Sequence, residues 1–372
     1  MLDSAVEIIR TTDRNHPADA SLRRTLEKGG GFSAGQRAQL SHAVFCYFRW
    51  LGWLERNRSL GEQINHALRL GEQFARQPLS FSDTDLIARV VPPWVRAELE
   101  ITPVLARALQ TEPKLWIRAQ RDSGKVLAQK LQDCLIFGTG MLSDTLEYRG
   151  EQDLFRTAEF HHGEFELQDL SSQAVGFICA PQPGETWWDA CAGEGGKLLH
   201  LATLMHNKGL IWASDRAEWR LRRLKRRAAR AKVFNYRVAA WNGGSRLPTK
   251  TKFNGVLVDA PCSGTGTWHR NPDSRWTTTA QDVKELAAVQ EQLLIYGSQA
   301  LKSGGRLIYA VCTLTRSETR DVVEAFERKS PHCIPLKFLH PLKVDSSAQS
   351  QLRLGLEDFG GNGMFIAAWQ RK

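Results

Sequence analysis

The strongest constraint on the fold is a repeating texture that begins near residue 166. Four short apolar runs, Thr186-Trp187-Trp188, Leu210-Ile211-Trp212-Ala213, Gly255-Val256-Leu257-Val258 and Leu307-Ile308-Tyr309-Ala310, alternate with helical segments. Each run ends in a loop rich in Gly, Asp or Cys. Such alternation predicts βαβ units and a mostly parallel, Rossmann-like sheet over residues 166–372, an α/β domain. Ligands of an open parallel sheet bind beyond the carboxyl ends of its strands, so function is expected in those loops.

Two regions precede this domain. Residues 1–90 read as helical: Leu40, Val44, Tyr47, Phe48 and Leu51 recur at helical spacing, after a break at Gly29, Gly30 and Gly31. A connector near Pro78 and the triplet Pro92-Pro93-Trp94 mark boundaries. Residues 91–165 read as a small α/β module, with strands at Leu115-Trp116-Ile117 and from Asp144 to Tyr148. Hydrophobic residues make up 42% of the 372, which suits packed cores rather than disorder.

The formal net charge of +10 favours a polyanionic partner, RNA or DNA ahead of an anionic membrane. The opening residues lack a basic segment followed by an apolar one, and no run approaches 18 apolar residues. Neither a signal peptide nor a membrane span is therefore expected. The seven cysteines are odd in number and form no C-x-x-C pair, which argues against a zinc site and a disulfide framework and suits the cytoplasm.

The first chemical loop runs from Asp189 through Cys191, Ala192, Gly193, Glu194, Gly195 and Gly196 to Lys197 and opens a helix. Glycines there let backbone approach a ligand, and the helix start supplies free N–H donors. Asp215 ends the next strand, where a carboxylate can bind ribose hydroxyls. Together these features describe an adenosyl pocket, although the loop by itself could be a tight turn. It is not G-x-G-x-x-G, which disfavours NAD.

Two further loops carry cysteines: Asp259-Ala260-Pro261-Cys262-Ser263-Gly264-Thr265-Gly266 and Val311-Cys312-Thr313. A free cysteine is usually a small buried hydrophobe, but Cys262 lies in a Gly- and Ser-rich loop. Thiols here suit one difficult reaction. C5 of cytosine is too weak a nucleophile for a sulfonium methyl group, and a thiolate adding at C6 makes it enamine-like. Restoring the ring then needs an acid/base group near the nucleophile. Asp259 could hold the base edge at N3 and N4.

At these residues the chain resembles the RsmB/NOP2/Sun family of RNA cytosine-5 methyltransferases. The resemblance rests on the signature from Asp259 to Gly266, the cofactor-type loop from Asp189 to Lys197, and Gln168-Asp169-Leu170-Ser171-Ser172-Gln173. It extends to the segment from Arg270 to Trp276, to Val311-Cys312-Thr313 and to Gly363-Met364-Phe365-Ile366-Ala367. It implies a class I methyltransferase domain using S-adenosylmethionine, preceded by a helical NusB-like RNA-binding domain. It also implies that Cys312 attacks C6, that Cys262 assists release, and that residues 191–197, Asp215 and Asp259 meet the cofactor. Three positions depart from the family pattern: Glu194 replaces a proline, Val311 a threonine, and Asn242 the third acidic residue, which should contact adenine.

The implied partner is RNA, ribosomal RNA first and tRNA as the alternative, with the enzyme acting as a monomer. A DNA cytosine-5 methyltransferase fits less well because of the second cysteine, and a catalytically weak ribosome assembly factor because both cysteines and both aspartates are intact. The stretch from Arg216 to Arg230 predicts an amphipathic helix with Leu221, Leu224, Ala228 and Ala231 inside. Its basic outer face reads equally as a solvated surface or as an RNA contact.

Overall fold

The computed structural model describes residues 1–28 and 31–372, without the Lys28 side chain, so the expected break at Gly29 and Gly30 lies outside the described residues. Four strands, β1 (Leu115–Ala119), β2 (Cys134–Ile136), β3 (Thr145–Tyr148) and β4 (Phe165–Leu167), form a small antiparallel sheet in the order β2-β3-β1-β4. Eight more form the large sheet: β5 (Thr186–Asp189), β6 (Leu210–Asp215), β7 (Tyr236–Ala240), β8 (Phe253–Asp259), β9 (Leu301–Val311), β10 (Cys333–Pro335), β11 (Gln351–Leu354) and β12 (Met364–Arg371).

The large sheet has the order β10-β12-β9-β8-β5-β6-β7 with β11 on β12. The pairs β7-β6, β6-β5, β5-β8 and β8-β9 are parallel, and β12 runs antiparallel to β9. All four runs expected as strands lie in β5, β6, β8 and β9. Chain order reverses between β5 and β8, the point at which an open parallel sheet forms its ligand crevice beyond the strand carboxyl ends. Val311, where the family has threonine, is fully buried opposite Phe365, a place that suits a β-branched apolar side chain.

The helical region centres on Ala34–Trp50, started by a capping box between Ser33 and Gln36. From Cys46 to Trp50 every residue is buried, so this segment is a core helix rather than a surface one. The same core takes in Val95, Ile101, Leu105 and Leu109, and the helix Pro103–Gln110. The helical region therefore runs past the expected boundary at residue 90, because Pro93 and Pro103 start new helical turns instead of ending the domain. The small sheet reaches Leu167, just past the expected end of the module at 165.

The helical core also contains Trp268, Leu314 and Leu356 from the large domain. Arg275, fully buried, clamps the junction: its Nη1 donates to Val90 O at 3.0 Å and Gln110 Oε1 at 3.1 Å, and its Nη2 to Leu109 O at 2.8 Å. Among the described residues no helix is long and apolar enough to cross a membrane.

Candidate active site

The loops after β5, β6, β8 and β9 converge at the crevice. Gly195 caps the helix Gly196–Leu204 at φ +88°, and a Cβ there would sit 2.7 Å from Leu224 Cγ, so only glycine lets the loop pass under the neighbouring helix. Asp215 stands at the end of β6. Its Oδ2 accepts from Gly193 N–H at 3.0 Å and its Oδ1 from Ala217 N–H at 2.8 Å. The carboxylate is thereby fixed against the Gly-rich loop.

Glu194 points away from this loop. It pairs with Arg223 Nη1 at 2.8 Å on the basic helix, while its carbonyl accepts from Arg227 at 3.2 Å. The acidic substitute for proline is thus an outward tether of the loop. Asn242, just beyond β7, is exposed, and its Oδ1 accepts from Gly244 N–H at 3.0 Å, which closes a local turn. Its neighbour Trp241 packs on Trp188, with ring centroids 4.9 Å apart.

Asp189, Asp215 and Asp259 meet the Lys197 ammonium in the crevice, and Arg220 Nη1 lies 3.9 Å from Asp215 Oδ2. Lys197 Nζ bonds Asp259 Oδ2 at 2.7 Å. Burial alone would lower the Lys197 pKa, but Asp259 outweighs it and holds the ammonium above its ordinary value. Asp189, absent from the expected site residues, is buried with neither carboxylate oxygen hydrogen-bonded. Burial first, then Asp259, pushes its pKa up to about 8 against the pull of Lys197. Burial likewise raises the Cys191 thiol well above the ordinary range.

The two expected catalytic cysteines meet: Cys262 Sγ and Cys312 Sγ are 3.3 Å apart. The shared hydrogen bond splits their acidities. Cys312 is drawn below the ordinary thiol value by its contact with Cys262 and then by Lys197, and the same contact together with burial raises Cys262 well above it. Both loops hang on Glu318, fully buried and unforeseen in the sequence reading. One oxygen accepts from Ser263 N–H at 2.8 Å and Gln290 Nε2 at 3.0 Å, the other from Thr313 at 2.9 Å and Thr315 at 2.8 Å, with the Ser263 hydroxyl as a fifth donor. The helical region braces the same loop: Glu98 accepts from Ser317 N–H at 3.0 Å and from its hydroxyl at 2.8 Å.

Gly266 N–H donates to Cys312 O at 3.0 Å, and its own carbonyl accepts from Gly363 N–H at 2.7 Å. A Cβ at Gly266 would overlap Gly363, so glycine alone lets the two cysteine loops and the last strand close on one another. Among the described residues, no three His, Cys, Asp or Glu side chains cluster as metal ligands.

Residues 177–370 match the model of the family described as 16S rRNA methyltransferase RsmB/F. A Synechocystis protein named "Probable ribosomal RNA small subunit methyltransferase B" is 34% identical over 290 residues, which is 74% of this chain and 62% of that one. The crystal structure of PH0851 superposes with a TM-score of 0.77 at 19% identity, covering 100% of this chain and 98% of its own. NSun6 from Pyrococcus horikoshii, solved with SFG, superposes with a TM-score of 0.62 at 19% identity over 72% of this chain and 93% of its own. The whole chain thus has a solved counterpart in fold, while it spans less than two thirds of the Synechocystis relative.

Proposed function

Since the chain belongs to the RsmB/F family of 16S rRNA methyltransferases, we propose that it transfers a methyl group from S-adenosylmethionine to C5 of a cytosine in ribosomal RNA. The observation that carries the reading is the pair of thiols 3.3 Å apart at the ends of neighbouring parallel strands. A single attacking thiol would need no such partner.

The crevice fits the cofactor. Asp215 and Asp259 carry acidic side chains to the same end of the sheet, and the protonated, unbonded carboxyl of Asp189 leaves polar atoms free beside them. Bound there, S-adenosylmethionine supplies an electrophilic methyl group on a sulfonium. Asp215 would take the ribose hydroxyls, the backbone and side chains from Cys191 to Lys197 would line the remainder, and Asn242 would lie toward the adenine.

Cys312, the more acidic thiol, adds to C6 and forms an S–C6 bond. The C5–C6 π electrons become available at C5, which takes the methyl group. Asp259, held by Lys197, would accept from the N4 amino group, and from N3 once attack at C6 has left N3 protonated. Loss of the C5 proton to a nearby base then expels Cys312 and restores the double bond. Cys262, whose Sγ lies 3.3 Å from Cys312 Sγ, would assist this release.

Incubating Cys262→Ala and Cys312→Ala with 16S rRNA and S-adenosylmethionine, then running a denaturing gel, tests the assignment. A slow protein–RNA band is expected for Cys262→Ala, which attacks but cannot release, and none for Cys312→Ala. The reverse pattern would transfer attack to Cys262. Intact methylation in both variants would remove the covalent mechanism.

A further inference from the structure

The helix Glu218–Arg230 carries more positive charge than the fold uses. Its inner stripe, Leu221, Leu224 and Ala228, is buried. Four arginines face carboxylates of the fold: Arg227 and Arg230 both pair with the buried Glu166, Arg223 with Glu194, and Arg220 lies 3.9 Å from Asp215. Among the described residues, Arg216, Arg222, Lys225, Arg226 and Lys232 have no carboxylate within ion-pair distance, and all are exposed. Cations three and four residues apart on a helix repel by a few tenths of a kcal/mol per pair, roughly 0.2–0.5, so packing gives no reason for the cluster.

An aromatic ring interrupts this face. Trp219 is 46% exposed and lies on one helical stripe with Arg222, Arg223 and Arg226. The guanidinium groups of Arg223 and Arg220 sit 5.0 Å and 5.4 Å from its ring centroid and steady it. The stripe begins four residues after Asp215, at the ligand end of the sheet. Cations beside a braced, exposed ring match a partner that is anionic along its backbone and has flat faces to stack. A membrane surface would instead require an exposed apolar stripe, and here that stripe is buried.

We propose that the outward face of the helix Glu218–Arg230 is an RNA-docking surface separate from the cysteine site, binding phosphates through Arg222, Lys225 and Arg226 and stacking an unpaired base on Trp219. The proposal rests on the reading of the protein as an RNA enzyme. Each phosphate gripped releases counterions, so affinity through this face falls with salt.

Binding of the full chain to a fluorescein-labelled uridine 20-mer, titrated across salt concentrations, tests it. The variants are Arg222→Glu with Arg226→Glu, Trp219→Ala, and a control with the same charge change at the opposite end of the sheet, Lys302→Glu with Arg328→Glu. At low salt the helix double variant should bind at least tenfold more weakly, and its log–log salt slope should be shallower by about 1.4, or about 0.7 per phosphate lost. Trp219→Ala should weaken binding about tenfold with the slope unchanged. Thermal melting should match the wild type throughout, since these side chains support no core. Equal losses in helix variants and control would overturn the surface while leaving RNA binding intact. A wild type that ignores the 20-mer, or prefers phosphatidylglycerol vesicles, would overturn both this surface and the reading beneath it.

Discussion

Replacing Glu318 with alanine should separate the two cysteine loops and destabilise the fold. The carboxylate collects five donors from the loops after β8 and β9 and from Gln290. Three of the donors are hydroxyls with alternatives: Ser263 and Thr313 are 3.0 Å apart, and Thr313 and Thr315 3.2 Å. Ser263 N–H and the Gln290 amide proton have none, and each stranded buried donor costs about 1–3 kcal/mol, so Glu318→Ala should lose about 4 kcal/mol. Glu318→Gln keeps the shape and one acceptor oxygen, and the hydroxyls can turn to accept from its amide, so it should lose about 1 kcal/mol. Urea unfolding of both variants measures the difference, and methyl transfer to 16S rRNA should fall in the same order. A Glu318→Ala protein that unfolds at the wild-type midpoint would refute the claim that this carboxylate holds the loops together.

Two further expectations concern the crevice. Asp189, raised from 3.8 to about 8, keeps in the folded state a proton that the unfolded chain has lost, so its stabilising contribution is full below pH 4 and disappears as pH rises through 8. Urea midpoints of wild type should therefore fall relative to Asp189→Asn across that window, and parallel pH profiles would contradict the burial of an unpaired carboxyl. Asp215→Ala should weaken S-adenosylmethionine binding at least tenfold by calorimetry, since it removes the anchor of Gly193 and Ala217 as well as an expected ribose acceptor. Equal binding by wild type and Asp215→Ala would place the cofactor elsewhere.

The strands and cysteine loops were legible because their signals are local: apolar runs bounded by Gly, Asp and Cys state their own position. Glu318 carried no such signal. It sits in Arg316-Ser317-Glu318-Thr319, which reads as an exposed polar turn, and only the approach of β8 to β9 turns it into a buried acceptor. Asp189 was visible as a strand-ending acid, but the lack of any partner for it is a property of packing. The helical packing runs past residue 90 for a related reason. Pro92 and Pro93 do interrupt the chain, yet Val95, Ile101, Leu105 and Leu109 pack back on the same core.

That shared core bears on how substrate choice and chemistry are connected. A reader domain on a flexible tether would contribute affinity alone, through effective concentration. Here the helical region reaches the reacting loops directly. Glu98 holds Ser317, one residue from the carboxylate that positions both cysteine loops. Arg275 spends its guanidinium on carbonyls of the helical region, and Ala18 N–H bonds the Asp273 carboxylate at 3.0 Å. Arg14 pairs with Asp282 beside Cys262, across a shallow cavity lined from both regions. Detaching residues 1–110 would therefore open the buried guanidinium of Arg275 to solvent with most of its partners lost, leave Ser317 unbraced, and expose Trp268 and Leu314. The two cysteine loops are thus braced by the helical region as well as by their own sheet.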